Sequence, residues 1–449
     1  MTRRLDLVLL GLGIGIVALV AVGLGARPPG AFGSLTRGQT EWYIGCALAA
    51  GLFYAAAVWL VRGRTWSASV LPAVVALGLA ARLLVLFTPP LLSTDLYRYV
   101  WDGRVQAAGI NPYRFIPADP ALAPLRDEGR GATAIFPNIN RADTAPTIYP
   151  PAAQALFALI GRTAPSIWGV KAAMLGFDLV AMAACLLLLR AAGRPDAQVL
   201  VWAWNPLVIW EFAGGGHIDA AGLAASAVAM LAAAYGRRGW AGAVLGLAVL
   251  FKLLPAALFP ALWRRWDWRV PVAAAAVILA GYAAYASAGW RVFGYLPGYA
   301  TEEGLGGSGF LLVRLLQGMV PQSRLVGMAY AGLGLVLLAG LAAFVALRTP
   351  WPGTVRGRTL AVARGGLILS GGLIAVLSPH YPWYMTMLVL PMAVVPAWSA
   401  LWVTVSAPVL YLDHGLDEVV WPVLVFLPAL PLLAFDLYPG HAPPADGDP

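Results

Sequence analysis

The chain has 449 residues, 60% of them apolar and only 11% charged, against about 25% charged in an ordinary soluble protein, so a soluble fold is excluded. Its 50 Gly, 35 Pro and 18 Trp are the small-residue and interfacial-aromatic content of a polytopic helical membrane protein. The net charge of +9 belongs to cytoplasmic loop arginines rather than to a nucleic-acid surface, and Cys46 and Cys185, both in apolar spans, offer neither a disulfide framework nor a thiolate metal site.

Arg3 and Arg4 precede an apolar run over 5–26, which is longer than a signal-peptide core, lacks a small-residue cleavage site, and reads as a retained first span. Similar runs follow at 42–61 and 68–87. Over 88–147 the pattern breaks into a Pro-rich stretch with six acidic and six arginine side chains, too polar for the bilayer and long enough to expect function. Further spans are expected at 166–189, 198–213, 218–235, 270–289, 325–347, 360–377, 384–396, 399–411 and 419–434. Residues 150–161 and the break at Lys252-Leu253-Leu254-Pro255 read as re-entrant segments or as crossings. If the N-terminus is inside and neither crosses, arginines such as Arg62, Arg190, Arg237, Arg264 and Arg356 collect on the cytoplasmic side, as the positive-inside rule requires, and the 88–147 loop lies outside. The 436–449 tail, rich in Pro, Gly and Asp, is expected to be disordered.

The densest polar cluster opens the outer loop. If 93–106 is helical, Asp95, Arg98, Asp102 and Gln106 share one face, and Tyr97, Trp101 and Val105 form another suited to the headgroup layer. Mutual pairing of Asp95, Arg98 and Asp102 is the plain alternative. Ionisable groups in apolar spans are functional candidates because of what they cost there. Gly214-Gly215-Gly216-His217-Ile218-Asp219 is either a close approach for an anion or a glycine turn capped by Asp219. Lys252 either snorkels to the inner headgroups or points into a cavity toward a phosphate. His380 and Tyr381 sit between two prolines at an outer helix end. Asp413, His414, Asp417 and Glu418 read as a solvated outer turn, and Lys171 and Asp178 as groups with interhelical structural partners. Asp95, Asp102, Tyr149, His217, Asp219 and His380 converge on one membrane face, whereas a transporter would gather its polar groups near the midplane.

Three stretches carry a resemblance: Thr94-Asp95-Leu96-Tyr97-Arg98-Tyr99-Val100-Trp101-Asp102-Gly103-Arg104, Gly109-Ile110-Asn111-Pro112-Tyr113, and Thr147-Ile148-Tyr149-Pro150-Pro151. They resemble the GT-C superfamily of integral membrane glycosyltransferases, closest to bacterial polyprenyl-phosphate-mannose-dependent mannosyltransferases. The resemblance implies an all-α polytopic membrane protein, GT-C-like, with about 10–13 transmembrane helices and a large first outer loop containing amphipathic interfacial helices. Residues 1–435 would form one glycosyltransferase domain, with 88–147 as its catalytic loop.

The implied reaction transfers a hexose, with mannose foremost, from a polyprenyl-phosphate donor to an acceptor hydroxyl, with inversion. Many members carry two adjacent acids where this chain has Thr94-Asp95, so the resemblance gives Asp95 the role of general base. His380-Tyr381 is similar to a late outer-loop histidine of several members. Donor binding is expected from Arg98, Asp102, Arg104, Tyr149, His217, Asp219, Lys252, His380 and Tyr381. No cofactor and no metal ligand is expected, although clustered outer carboxylates leave a divalent ion open. The implied partners are the polyprenyl-phosphate sugar, a glycolipid or glycan acceptor and membrane lipids, with no nucleic acid. The implied location is the bacterial cytoplasmic (inner) membrane, multi-pass, with the site on the outer, periplasmic face. A lipid-linked sugar flippase or transporter, and a sugar such as arabinose or glucose, remain open at this stage.

Overall fold

Inside a bilayer no water satisfies backbone N–H and C=O groups, so each crossing segment must bond to itself. The computed structural model does so: it is 77% helical, with no strand among the residues it describes, which are 2–27, 35–127, 131–296, 298, 310–316, 324–348, 351–412 and 419–438. The chain is an all-α polytopic membrane protein. Six described helices are long and apolar enough to cross a membrane, or eight if each of two bent pairs is one span, and four shorter apolar helices accompany them.

The first three long helices are α1 (Thr2–Gly23), α2 (Arg37–Val61) and α3 (Val70–Leu86). Helix α2 starts at a capping box in which Thr36 and Gln39 satisfy each other's amides. The polar loop contributes α4 (Asp95–Ala107) and leads to α5 (Pro151–Thr163). These two pack closely because Gly103 and Gly161 meet backbone to backbone, with no room for a Cβ on either. Helix α6 (Ile167–Ala191) follows. Next comes a bent pair of helices, Pro206–Gly214 followed by α7 (Asp219–Ala234), with a bend of 120° between them. Ile209–Gly214 is a π-helix, and Gly216 takes φ +73°, a conformation open to glycine that lets His217 turn back into the bundle.

Then come the shorter α8 (Arg238–Phe251), α9 (Arg269–Ala284), α10 (Arg324–Arg348) and α11 (Val355–Leu377), and near the end of the chain the candidate span Val420–Leu437. Helix α8 leads into the Lys252-Leu253-Leu254-Pro255 break, which the sequence leaves open as a re-entrant segment or a crossing. Gly242 and Gly246 of α8 seat against Val270 and Ala274 of α9 in register, so the two helices run parallel. The chain between them, through Leu254–Leu258 and Phe259–Leu262, must therefore return to its starting end.

Helix α4 also differs from expectation, because the side expected in the headgroup layer is covered by its own loop. Tyr97, Trp101 and Val105 are buried, the Trp101 ring lies against Phe136, and the Tyr97 hydroxyl donates to the Ala132 carbonyl at 2.8 Å.

Asp178 and Lys171 do have interhelical partners. Arg82 Nε donates to Asp178 Oδ2 at 2.5 Å with neither side chain exposed. Arg82 Nη1 donates to the Ala203 carbonyl at 2.6 Å and Trp202 Nε1 to Asp178 Oδ1 at 2.8 Å. Lys171 Nζ donates to the carbonyls of Val85 and Thr88 at the end of α3. Asp436, near the end of the last described helix, Ala429–Leu437, accepts from the amides of Trp398 and Ser399. Residues 439–449 of the expected tail and the 413–418 turn lie outside the described residues.

Candidate active site

Where α4, the 140–150 loop, the end of α8 and the end of α11 meet, they enclose a cavity of about 680 Å³. The Ser93 hydroxyl accepts from the Asp95 amide at 3.2 Å, and α4 begins there with the Asp95 carboxylate on the cavity wall. Asn140 Nδ2 donates to Asp95 Oδ1 at 3.1 Å. On its other oxygen, Asp95 Oδ2 lies 3.8 Å from His217 Nδ1.

Lys252, His380, Arg314, Arg141 and Arg98 also line the cavity. Lys252 Nζ donates to Asp219 Oδ2 at 3.0 Å and stands over the Tyr384 ring. Asp219, in the first turn of α7, is thus the ion-pair partner of Lys252 rather than a cap. Arg314 Nη2 is 3.4 Å from His380 Nε2. Tyr381 stacks on Trp383 at 4.6 Å, and Trp383 stacks on His217 at 4.1 Å. Leu253, Leu254, Leu373, Ile374 and Leu377 supply an apolar wall beside the charged one. Tyr149 lines the cavity and is fixed through its carbonyl, which accepts from the Tyr113 hydroxyl at 2.7 Å. Burial pushes the Tyr113 hydroxyl far up from its ordinary value, so it stays protonated as that donor.

Four residues expected at the donor site, Asp102, Arg104, His217 and Asp219, do not line the cavity. Asp102 is buried behind the cavity wall, accepting from Arg98 Nε at 2.8 Å and Gln154 Nε2 at 2.9 Å. Arg98 reaches the cavity edge but is committed to Asp102 and to the Ala145 carbonyl. Arg104 points away and pairs with Asp127 at 3.2 Å. Burial opposes the Asp127 charge, yet the amides of Ile135 and Phe136 and the Arg104 guanidinium hold its carboxyl below the usual range.

Sequence reasoning missed Asn140, Arg141, Glu211, Arg314, Trp383, Tyr384 and Tyr411. Only Glu211 carried a clear signal, an acid inside an apolar run. Its carboxylate is buried, with Oε2 3.4 Å from His217 Nε2 and both oxygens accepting from the Tyr411 hydroxyl at 2.9 and 3.0 Å. No group of three or more His, Cys, Asp or Glu side chains placed to hold a metal ion occurs among the described residues.

The arrangement can hold a polar, anionic group against cations and an apolar chain against leucines, with one carboxylate at the polar end. Residues 6–267, over half of the chain, match the family described as alpha-(1->6)-mannopyranosyltransferase, N-terminal domain. No curated protein and no solved structure matches the chain.

Proposed function

The chain belongs to the alpha-(1->6)-mannopyranosyltransferase family, and from that premise we propose that it transfers mannose from a polyprenyl-phosphate donor to the primary hydroxyl of a mannose-ended acceptor. The cavity's division of labour carries this reading. Asp95 is its only carboxylate among the described residues, cations surround it, and an apolar wall begins beside them. A sugar phosphate joined to a lipid presents the same division, whereas a nucleotide donor would have no use for the leucines.

The acceptor oxygen attacks the anomeric carbon from the face opposite the phosphate, its proton goes to Asp95, and the bond from the carbon to the phosphate oxygen breaks. One carboxylate suffices for this single inverting displacement. Inversion to an α product requires a β-linked donor. The departing phosphate carries its own charge and needs cations rather than an acid. Lys252, His380, Arg314 and Arg141 surround the space for it, and Tyr149 and Tyr381 border the sugar. We place this end of the bundle on the periplasmic face of the bacterial cytoplasmic membrane, in keeping with the arginine distribution.

The test uses purified protein in lipid vesicles, labelled polyprenyl-phosphate mannose and a mannose-ended glycan. Wild type should extend the glycan by an α-linked mannose. Asp95→Asn should bind donor and lose transfer by at least about 10²-fold, the lower end of general-base contributions. Transfer retained by Asp95→Asn, or donor that binds without any product from wild type, would overturn the proposal.

A further inference from the structure

Behind the cavity, His217 stands between two carboxylates, and we infer that His217 and Glu211 form a proton relay that stores the proton Asp95 removes. The inference rests on the reading of Asp95 as the base. His217 is 1% exposed and does not line the cavity, so donor and acceptor do not touch it. Neither ring nitrogen has a hydrogen-bond partner, although buried polar atoms are almost always paired. The ring cannot swing away to find one, because it is stacked on Trp383 at 4.1 Å and an interplanar angle of 24°. Nδ1 faces Asp95 Oδ2 at 3.8 Å, and Nε2 faces Glu211 Oε2 at 3.4 Å.

A neutral imidazole with its proton on Nε2 explains the spacing. Nδ1 then offers a lone pair, and an ionised Asp95 has no hydrogen to give it. Protonation of Asp95 creates that donor. Once the acceptor O–H bond breaks and Asp95 Oδ2 holds the proton, it can pass to His217 Nδ1 while the Nε2 proton passes to Glu211 Oε2. The imidazole changes tautomer and gains no net charge. The proton waits on Glu211, away from the new glycosidic oxygen, and returns by the same route to water when product leaves. Tyr411 holds Glu211 at both oxygens, which keeps the carboxyl aimed at the ring. The other charged or titratable groups that act on the pair are Asp219, Lys252 and Tyr43.

The test measures donor binding and transfer in vesicles for Glu211→Gln, His217→Gln, the double variant and Glu211→Asp. Each single variant should lose about 10-fold or more in kcat with donor KM within about twofold, and the double should be no worse than the worse single, because residues acting as a unit are not additive. Glu211→Asp should recover part of the rate. Unchanged kcat in Glu211→Gln, or additive losses in the double, would overturn the relay. If the Gln variants lose donor binding through misfolding, Tyr411→Phe decides: a lower kcat with donor binding kept supports the relay, and an unchanged kcat overturns it. Activity retained by Asp95→Asn would instead remove the base itself, whatever the relay variants do.

Discussion

A carboxylate surrounded by arginines and a lysine serves as a base only if those cations are engaged elsewhere. Asp102 holds Arg98 at 2.8 Å and Asp219 holds Lys252 at 3.0 Å, so the partner on Asp95 Oδ1 is the neutral amide of Asn140. Asp219→Asn should therefore free Lys252 to pair with Asp95 and slow transfer by about 10-fold or more, part of the usual general-base contribution, although Asp219 is outside the main cavity wall. Transfer kinetics in vesicles check this, and an unchanged rate would mean that Lys252 is held by something else. Asn140→Ala should lower kcat with donor KM kept, because it removes one bond to the base and nothing from the phosphate end. Asp95, Lys252 and His380, singled out in the sequence as ionisable groups at the ends of apolar runs, line the cavity. Asp102 and Arg104 were misplaced because a shared helix face does not tell a side chain that faces a cavity from one that faces a neighbour. Asn140 and Arg314 lie in stretches far from Asp95 in sequence, with no local pattern to point to them.

At the scale of elements, the loop is stapled where Asp127 accepts from the amides of Ile135 and Phe136 at 2.7 and 2.9 Å and pairs with Arg104. That staple leads within five residues to Asn140, which bonds Asp95, so in the proposed reaction Arg104 would bear on Asp95 through the loop. The folded carboxyl of Asp127 is depressed, so its stabilisation is complete above the ordinary carboxylate value of about 3.9 and is lost as pH falls through the lower folded value. At neutral pH Asp127→Asn should loosen the loop, raise proteolysis within 126–141 and reduce kcat a few fold, about what a loss of ~1 kcal/mol implies; proteolysis and transfer assays read both. A second contact between elements is the Arg82–Asp178 pair joining α3 and α6, with neither side chain exposed. Arg82→Met alone should cost about 3–5 kcal/mol by stranding a buried charge, while Arg82→Met with Asp178→Leu should restore most of that stability. Thermal unfolding in detergent separates the two. Equal losses in the single and double variants would show that the pair contributes more than the burial it compensates.

The whole molecule is organised by which end of the bundle each helix reaches. The arginine distribution assigns the ends by the positive-inside rule, while α8 is ambiguous in the sequence because its 14 residues are fewer than the ~20 of a straight crossing. The structure supplies the missing argument, since Gly242 and Gly246 fit only a helix running parallel to α9. Lys252 at the end of α8 and Asp95 at the start of α4 share one cavity, so in the proposed reaction both face the compartment that supplies the acceptor. Sidedness can be read directly. In a background with Cys46 and Cys185 replaced by Ser, single cysteines at Gly109 and Gly289 should react with an impermeant maleimide added outside intact cells, and cysteines at Arg237 and Arg265 should react only after permeabilisation. Positions 237 and 265 flank the out-and-back excursion of α8, so protection of both with labelling at 289 requires a crossing after 265 and an even number of crossings between 237 and 265. Labelling of Arg265→Cys from outside would break the parallel arrangement of α8 and α9, and with it the route by which Lys252 reaches the base.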